Sequence, residues 1–145
     1  MNEDRVLSLV AILLLMIGIG YYLLFRTPII ASYWFGVQEW HSRFGLYTLG
    51  WLPSFVHQFS FVLLTWIALD KTHESFAIWF WLMVNSLFEF GQVLKGEVLG
   101  YFPNVIANYF KNGTFAGEDL VAIWIATLIA YGVIKFNKKE KNARA

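Results

Sequence analysis

The sequence predicts an all-α membrane protein: four transmembrane helices, with short interfacial helices in the two outer loops. Three observations predict it. Of 145 residues, 58% are hydrophobic and only 14% are charged, a balance foreign to a soluble domain of this size. Apolar runs of 17 to 20 residues occur four times, at 6–25, 53–69, 76–94 and 118–136, and such lengths suit the hydrocarbon core of a bilayer. The third run carries Asn85, Glu89 and Gln92 at i, i+4 and i+7, so a helix sets them on one face. Residues 1–145 read as one domain, with no internal repeat and no low-complexity segment.

The first run, 6–25, lies between Arg5 and Arg26. Its 20 residues, at about 1.5 Å each, cover about 30 Å. It is longer than a signal-peptide core and no small-x-small cleavage site follows, so a retained helix is expected. Residues 27–52 are aromatic and mixed. Val37, Trp40, Phe44 and Tyr47 recur there at three- and four-residue spacing, which predicts an amphipathic helix over 37–47 lying in the interface. Gly50 and Pro53 bracket the entry to the second span.

The second span, 53–69, carries His57 and Gln58 near its start. Asp70–Ser75 is a polar loop, and Ser75 is the expected N-cap of the third span. After that span, Val105, Ile106, Tyr109 and Phe110 follow Pro103 at helical spacing and end at Asn112-Gly113. This predicts a second interfacial helix over 104–112, closed by the glycine. The fourth span, 118–136, opens with Glu118 and Asp119. A basic tail, 137–145, holds Lys138, Lys139, Lys141 and Arg144.

Four spans place both termini on one side. With that side cytoplasmic, the inner segments hold Arg5, Lys71, Lys135 and the four basic residues of the tail. The outer loops hold Arg26, Arg43, Lys95 and Lys111. The positive-inside rule favours this orientation: a multi-pass protein of the cell membrane with both termini cytoplasmic. The tail is expected to meet anionic lipid and calls for no nucleic acid.

The orientation brings polar groups to a common depth. His57, Glu89 with Gln92, and Asp119 all fall in the outer third of their spans. Glu89 is the one acidic residue set inside an apolar span beyond its first turn, and an ionisable group there marks a candidate site. His57, Glu89 and Asp119 are the candidate catalytic residues, since an imidazole among carboxyls suits proton transfer to a head group. No serine or threonine sits in a nucleophile motif, and there is no cysteine. One His and two carboxyls could in principle hold a metal, but a structural metal site usually brings more ligands or tighter spacing, so neither a metal site nor a cofactor is expected. The plainer readings stand beside these: Asn85, Glu89 and Gln92 as hydrogen-bond glue between helices, His57 as a packing residue, and Asp119 as a helix cap.

Three blocks resemble a known family. Pro53–Phe61 (PSFVHQFSF), Asn85–Gln92 (NSLFEFGQ), and Tyr109–Phe115 (YFKNGTF) followed by Asp119-Leu120 are similar in order and placement to the signature blocks of the VanZ-like membrane proteins, the family named for a teicoplanin-resistance protein. The chain departs from the family pattern at Thr114, where arginine is frequent, and at Ala116, where aspartate is. The resemblance implies a small helical bundle with an extracytoplasmic polar site made of His57, Glu89, Gln92, Thr114 and Asp119. With Asn85 from the residue pattern, these form the expected ligand-binding set. The expected function is binding of a lipid head group or cell-envelope component, with an effect on lipoglycopeptide susceptibility. An acid/base enzyme acting on a lipid-linked substrate and a structural or assembly protein are the alternatives, and an oligomer is compatible with each.

Overall fold

The computed structural model describes residues 3–21, 50–94 and 96–144, and all its regular structure is helical. Five α-helices occur among those residues: α1 (Glu3–Tyr21), α2 (Leu52–Ala68), α3 (Glu74–Gly91), α4 (Asn104–Asn112) and α5 (Gly117–Arg144), with a 3-10 helix at Gly96–Tyr101 before α4. The expected interfacial helix at 37–47 and residues 22–25 of the first expected span lie outside the described residues. One stretch, Gly117–Glu140 in α5, is long and apolar enough to cross a membrane, whereas the apolar helices Arg5–Tyr21 and Leu52–Ala68 are shorter.

Helix α2 is the hub. It packs against α1, α3 and α5. Pro53 sits in its first turn, where the missing N–H would have had no helical partner. Its Val62, Leu63 and Trp66 are fully buried, and they meet Ala11 of α1, Ala77 of α3, and Ala126, Ala130 and Ile134 of α5. On α5 the small residues Ala122, Ala126 and Ala130 recur every fourth position and are all buried. A stripe of that kind lets two helices approach closely enough for dense packing. Gly18 does the same for α1: a side chain there would press Val56 at 3.2 Å and the His57 ring at 3.5 Å.

The helix directions follow from these contacts. Val6 and Val10 of α1 face Val133 and Phe136 of α5 across a groove of about 480 Å³, while Gly18 lies at the start of α2. One end of the bundle therefore gathers the start of α1, the turn between α2 and α3, and the end of α5. The other end gathers the start of α2, the end of α3, α4 and the start of α5.

Three local details differ from the sequence reading. Helix α3 begins at Glu74 with His73 as its N-cap and no side-chain cap bond, so Ser75 lies within the first turn. The preceding turn reverses the chain through left-handed Asp70 and Lys71, with φ of 50° and 62°, and the Lys71 N–H donates to Trp66 O at 2.9 Å. Gly113 ends α4 in an extended conformation, φ −74°, so steric room and not left-handed geometry is what it supplies. The stretch 137–145 continues α5 as helix to Arg144, and within it Lys138 binds Glu74 at the start of α3, with Lys135 at 3.2 Å from the same carboxylate.

At the site end, Gly91 and Phe110 interlock. A Cβ on Gly91 would fall 2.3 Å from the Phe110 ring, so the absent side chain is what seats α4 on α3. Gly91→Ala is expected to undock α4 and lower stability by about 1–3 kcal/mol, read as lost protection of α4 amides in hydrogen exchange together with a lower unfolding midpoint. At the other end, the Lys138 hydrogen bond, with Lys135 beside it, holds the Glu74 carboxyl below its ordinary 4.5. A depressed carboxyl stabilises the fold above its unfolded pKa, and that contribution fades as pH falls through the folded one. Glu74→Gln is thus expected to cost at most about 1 kcal/mol at neutral pH, the range of a solvent-screened pair. The difference from wild type should vanish in acid unfolding measurements well below pH 4.5.

Candidate functional site

A chain of buried hydrogen bonds crosses the bundle. Asn85 Nδ2 of α3 donates to Gln58 Oε1 of α2 at 2.6 Å. Gln58 Nε2 donates to Thr127 Oγ1 of α5 at 2.8 Å. The Thr127 hydroxyl donates to Ile123 O, one turn back in α5, at 2.8 Å. Gln58 is wholly buried, and a buried amide without partners costs more than its bonds return. The three side chains therefore lock three helices in one register.

One turn beyond Asn85 on the same face stands Glu89, 7% exposed. Gln92 Nε2 donates to Glu89 Oε1 at 3.1 Å and lies 3.5 Å from the Tyr109 hydroxyl of α4. Gly113 presses against Gln92: a Cβ at 113 would come within 2.9 Å of its amide. The backbone beyond α4 thus limits where Gln92 can lie and keeps it on Glu89.

His57 faces the same region from α2. Its ring stacks on Phe61 at 5.9 Å, and Phe61 stacks on Trp81 of α3 at 4.5 Å. Trp81 is fixed in turn by its N–H, which donates to Thr65 Oγ1 at 2.7 Å. With Gly18 of α1 against its other side, the imidazole is set by packing, and among the described residues no hydrogen bond holds its nitrogens.

These residues surround a cavity of about 350 Å³. Ser54 and His57 of α2, Trp81, Val84, Asn85, Phe88 and Glu89 of α3, Tyr109 of α4 and Ile123 of α5 line it. The volume is in the range of small-molecule pockets. Phe88 and Tyr109 meet edge to face at 5.6 Å, and both are exposed, so they form the rim.

His57, Asn85 and Glu89 from the expected set thus share one cavity, and Gln92 supports it through Glu89. Asp119 is 4% exposed in the first turn of α5, one turn before the lining residue Ile123, and does not itself line the cavity. Thr114 is exposed in the extended stretch after α4. Gln58 and Thr127 were not among the expected site residues. Their signal is the helical spacing of polar positions in apolar runs: Thr127 is two turns after Asp119, and Gln58 is the neighbour of His57. Tyr109, which belongs to the expected interfacial helix and to the third resembling block, also lines the cavity.

Among the described residues, no three His, Asp or Glu side chains stand together to hold a metal ion. An imidazole and a carboxyl facing one volume, with aromatic walls, can accept and donate protons or hold a polar group. Comparison with protein-family models, with curated proteins and with solved structures finds no match. Gln58→Leu and Thr127→Val are each expected to lower stability by about 1–3 kcal/mol. In a double-mutant cycle followed by chemical unfolding, the pair should couple by about 0.5 kcal/mol or more, as side chains in one network do.

Proposed function

We propose that the chain is a four-helix membrane protein of the VanZ-like type, with both termini cytoplasmic, whose cavity binds the head group of a lipid or lipid-linked envelope component. Helices α1, α2, α3 and α5 are the spans in this reading, and α4 lies in the outer interface. The outward faces support the bilayer setting. Leu13 and Met16 of α1, Trp79 and Leu87 of α3, and Trp124 and Leu128 of α5 are all more than half exposed. Apolar surface of that extent is unstable in water and at home in lipid. Val105 of α4, 82% exposed, suits an interfacial seat. The basic end supports the orientation, with Arg5, Lys71, Lys135 and Lys138 drawn to anionic cytoplasmic lipid. The resemblance of the three sequence blocks supports the family reading and a role in lipoglycopeptide susceptibility.

The single observation that carries the ligand reading is the meeting of His57, Asn85 and Glu89, from two helices, on one cavity with exposed aromatic residues at its rim. The same meeting of His57 and Glu89 favours, as a second reading, an enzyme working by acid/base chemistry on a lipid-linked substrate.

Lipids retained by the purified protein, identified by native mass spectrometry, test both. The wild type is expected to carry a defined lipid, and Glu89→Gln and His57→Ala to lose it at least tenfold while staying folded. Retention unchanged in both variants would sink the binding reading. Product formed from extracted envelope lipids by the wild type alone would establish the enzyme.

A further inference from the structure

The exposed apolar belt of the bundle has a definite height, and three helices measure it separately. Helix α2 spans 17 residues between the Gly50-Trp51 turn and the polar turn at Asp70, about 26 Å at the usual rise. Helix α3 spans 18 residues from Glu74 to Gly91, about 27 Å. On α5 the apolar stretch runs between Asp119 and Lys135, about 24 Å apart along the axis. Among the described residues α1 supplies only one bound, at Arg5. The side chains agree. The outermost large apolar groups that are more than half exposed are Phe76 and Val93 on the α3 segment and Val121 and Phe136 on α5, and each pair brackets a band of similar or smaller height.

Neither end of the belt is free to lengthen. A lysine near the end of a short span can snorkel outward and extend its apolar reach, but Lys135 and Lys138 are both committed to Glu74. Asp70 and Lys71 reverse the chain in left-handed backbone. At the outer end α4 is docked on the end of α3 through the Phe110 ring against Gly91, and Glu118 is exposed in the first turn of α5. A typical hydrocarbon core is about 30 Å thick. A helix that is too long relieves the excess by tilting. Tilting only lowers the height of one that is too short, so the deficit falls on the lipid.

Resting on the membrane reading above, we infer that the belt takes phospholipids of short acyl chain as its partner and gathers around itself a bilayer about 24–27 Å thick. A thin annulus also serves the site. Asn85, on the cavity wall, lies about 17 Å beyond Glu74 along α3, so a thinner outer leaflet brings the head groups closer to it.

The test reconstitutes the full chain in vesicles of monounsaturated phosphatidylcholine graded in length, from the myristoleoyl lipid through palmitoleoyl, oleoyl and eicosenoyl to erucoyl. Insertion is read by resistance to carbonate extraction and stability by the thermal unfolding midpoint. The midpoint is expected to peak with the palmitoleoyl or oleoyl lipid and to fall by several degrees toward erucoyl. From an equal mixture of palmitoleoyl and erucoyl lipids, those retained by the purified protein, counted by native mass spectrometry, should favour the shorter severalfold. Glu74→Leu, Lys135→Leu and Lys138→Leu together remove the inner bound and should move the peak to longer chains. Should that triple variant not fold, the mixture measurement on the wild type decides. A peak at the eicosenoyl or erucoyl lipid, a flat profile, retention that does not favour the shorter lipid, or an unmoved peak in the folded triple variant overturns the inference and leaves the membrane reading standing. Failure to insert at any chain length overturns both.

Discussion

The bundle depends on one uncharged side chain. Gln58 is buried to the last atom, and it satisfies its amide only when α3 offers Asn85 and α5 offers Thr127 at the same height. Sliding either helix by a residue would strand an amide in an apolar interior, at a cost of about 1–3 kcal/mol for each orphaned group. Apolar packing alone tolerates such slips more readily, because Leu, Val and Ala surfaces are interchangeable. The register then decides what lies one turn away. On α3 that is Glu89, and on α5 it is Ile123, so the cavity wall is assembled by the same bonds that align the helices.

Space at the site comes from residues that lack side chains. Gly18 lets α1 close on His57, Gly91 admits the Phe110 ring, and Gly113 lets the backbone touch Gln92. Each close approach fixes a larger neighbour by contact, whether or not a hydrogen bond also holds it. His57 is the extreme case: a glycine and the phenyl ring of Phe61 define its orientation. A polar site walled this way leaves the imidazole nitrogens without a hydrogen bond among the described residues.

Much of the helical pattern was legible in the residues themselves. Expected spans at 53–69 and 76–94 meet helices at Leu52–Ala68 and Glu74–Gly91, because Pro53 and the polar loop from Asp70 punctuate long apolar runs. The helix expected at 104–112 runs from Asn104 to Asn112, because Pro103 and Gly113 punctuate it. The alignment of Asn85 with Glu89 follows from helical periodicity alone. What stayed hidden depends on pairing across helices. Thr127 is a small hydroxyl in an apolar run, able to satisfy itself on its own backbone, and nothing in its neighbours announces a partner at position 58. Gly113 looks like an ordinary helix terminator, because the amide it touches is 21 positions away at Gln92. Helix α5 outruns its apolar stretch, and Glu74, far earlier in the chain, holds Lys135 and Lys138 on one carboxylate, a pairing that no spacing within the helix announces.

That long helix has a mechanical meaning. Helix α5 runs as 28 unbroken residues, about 42 Å at the usual rise. Thr127 sits near its middle, 8 positions after Asp119 and 11 before Lys138. The bond to Gln58 ties the middle of α5 to α2, and the pairing with Glu74 ties its far end to the start of α3. The longest helix is thereby pinned to two different neighbours at two different heights.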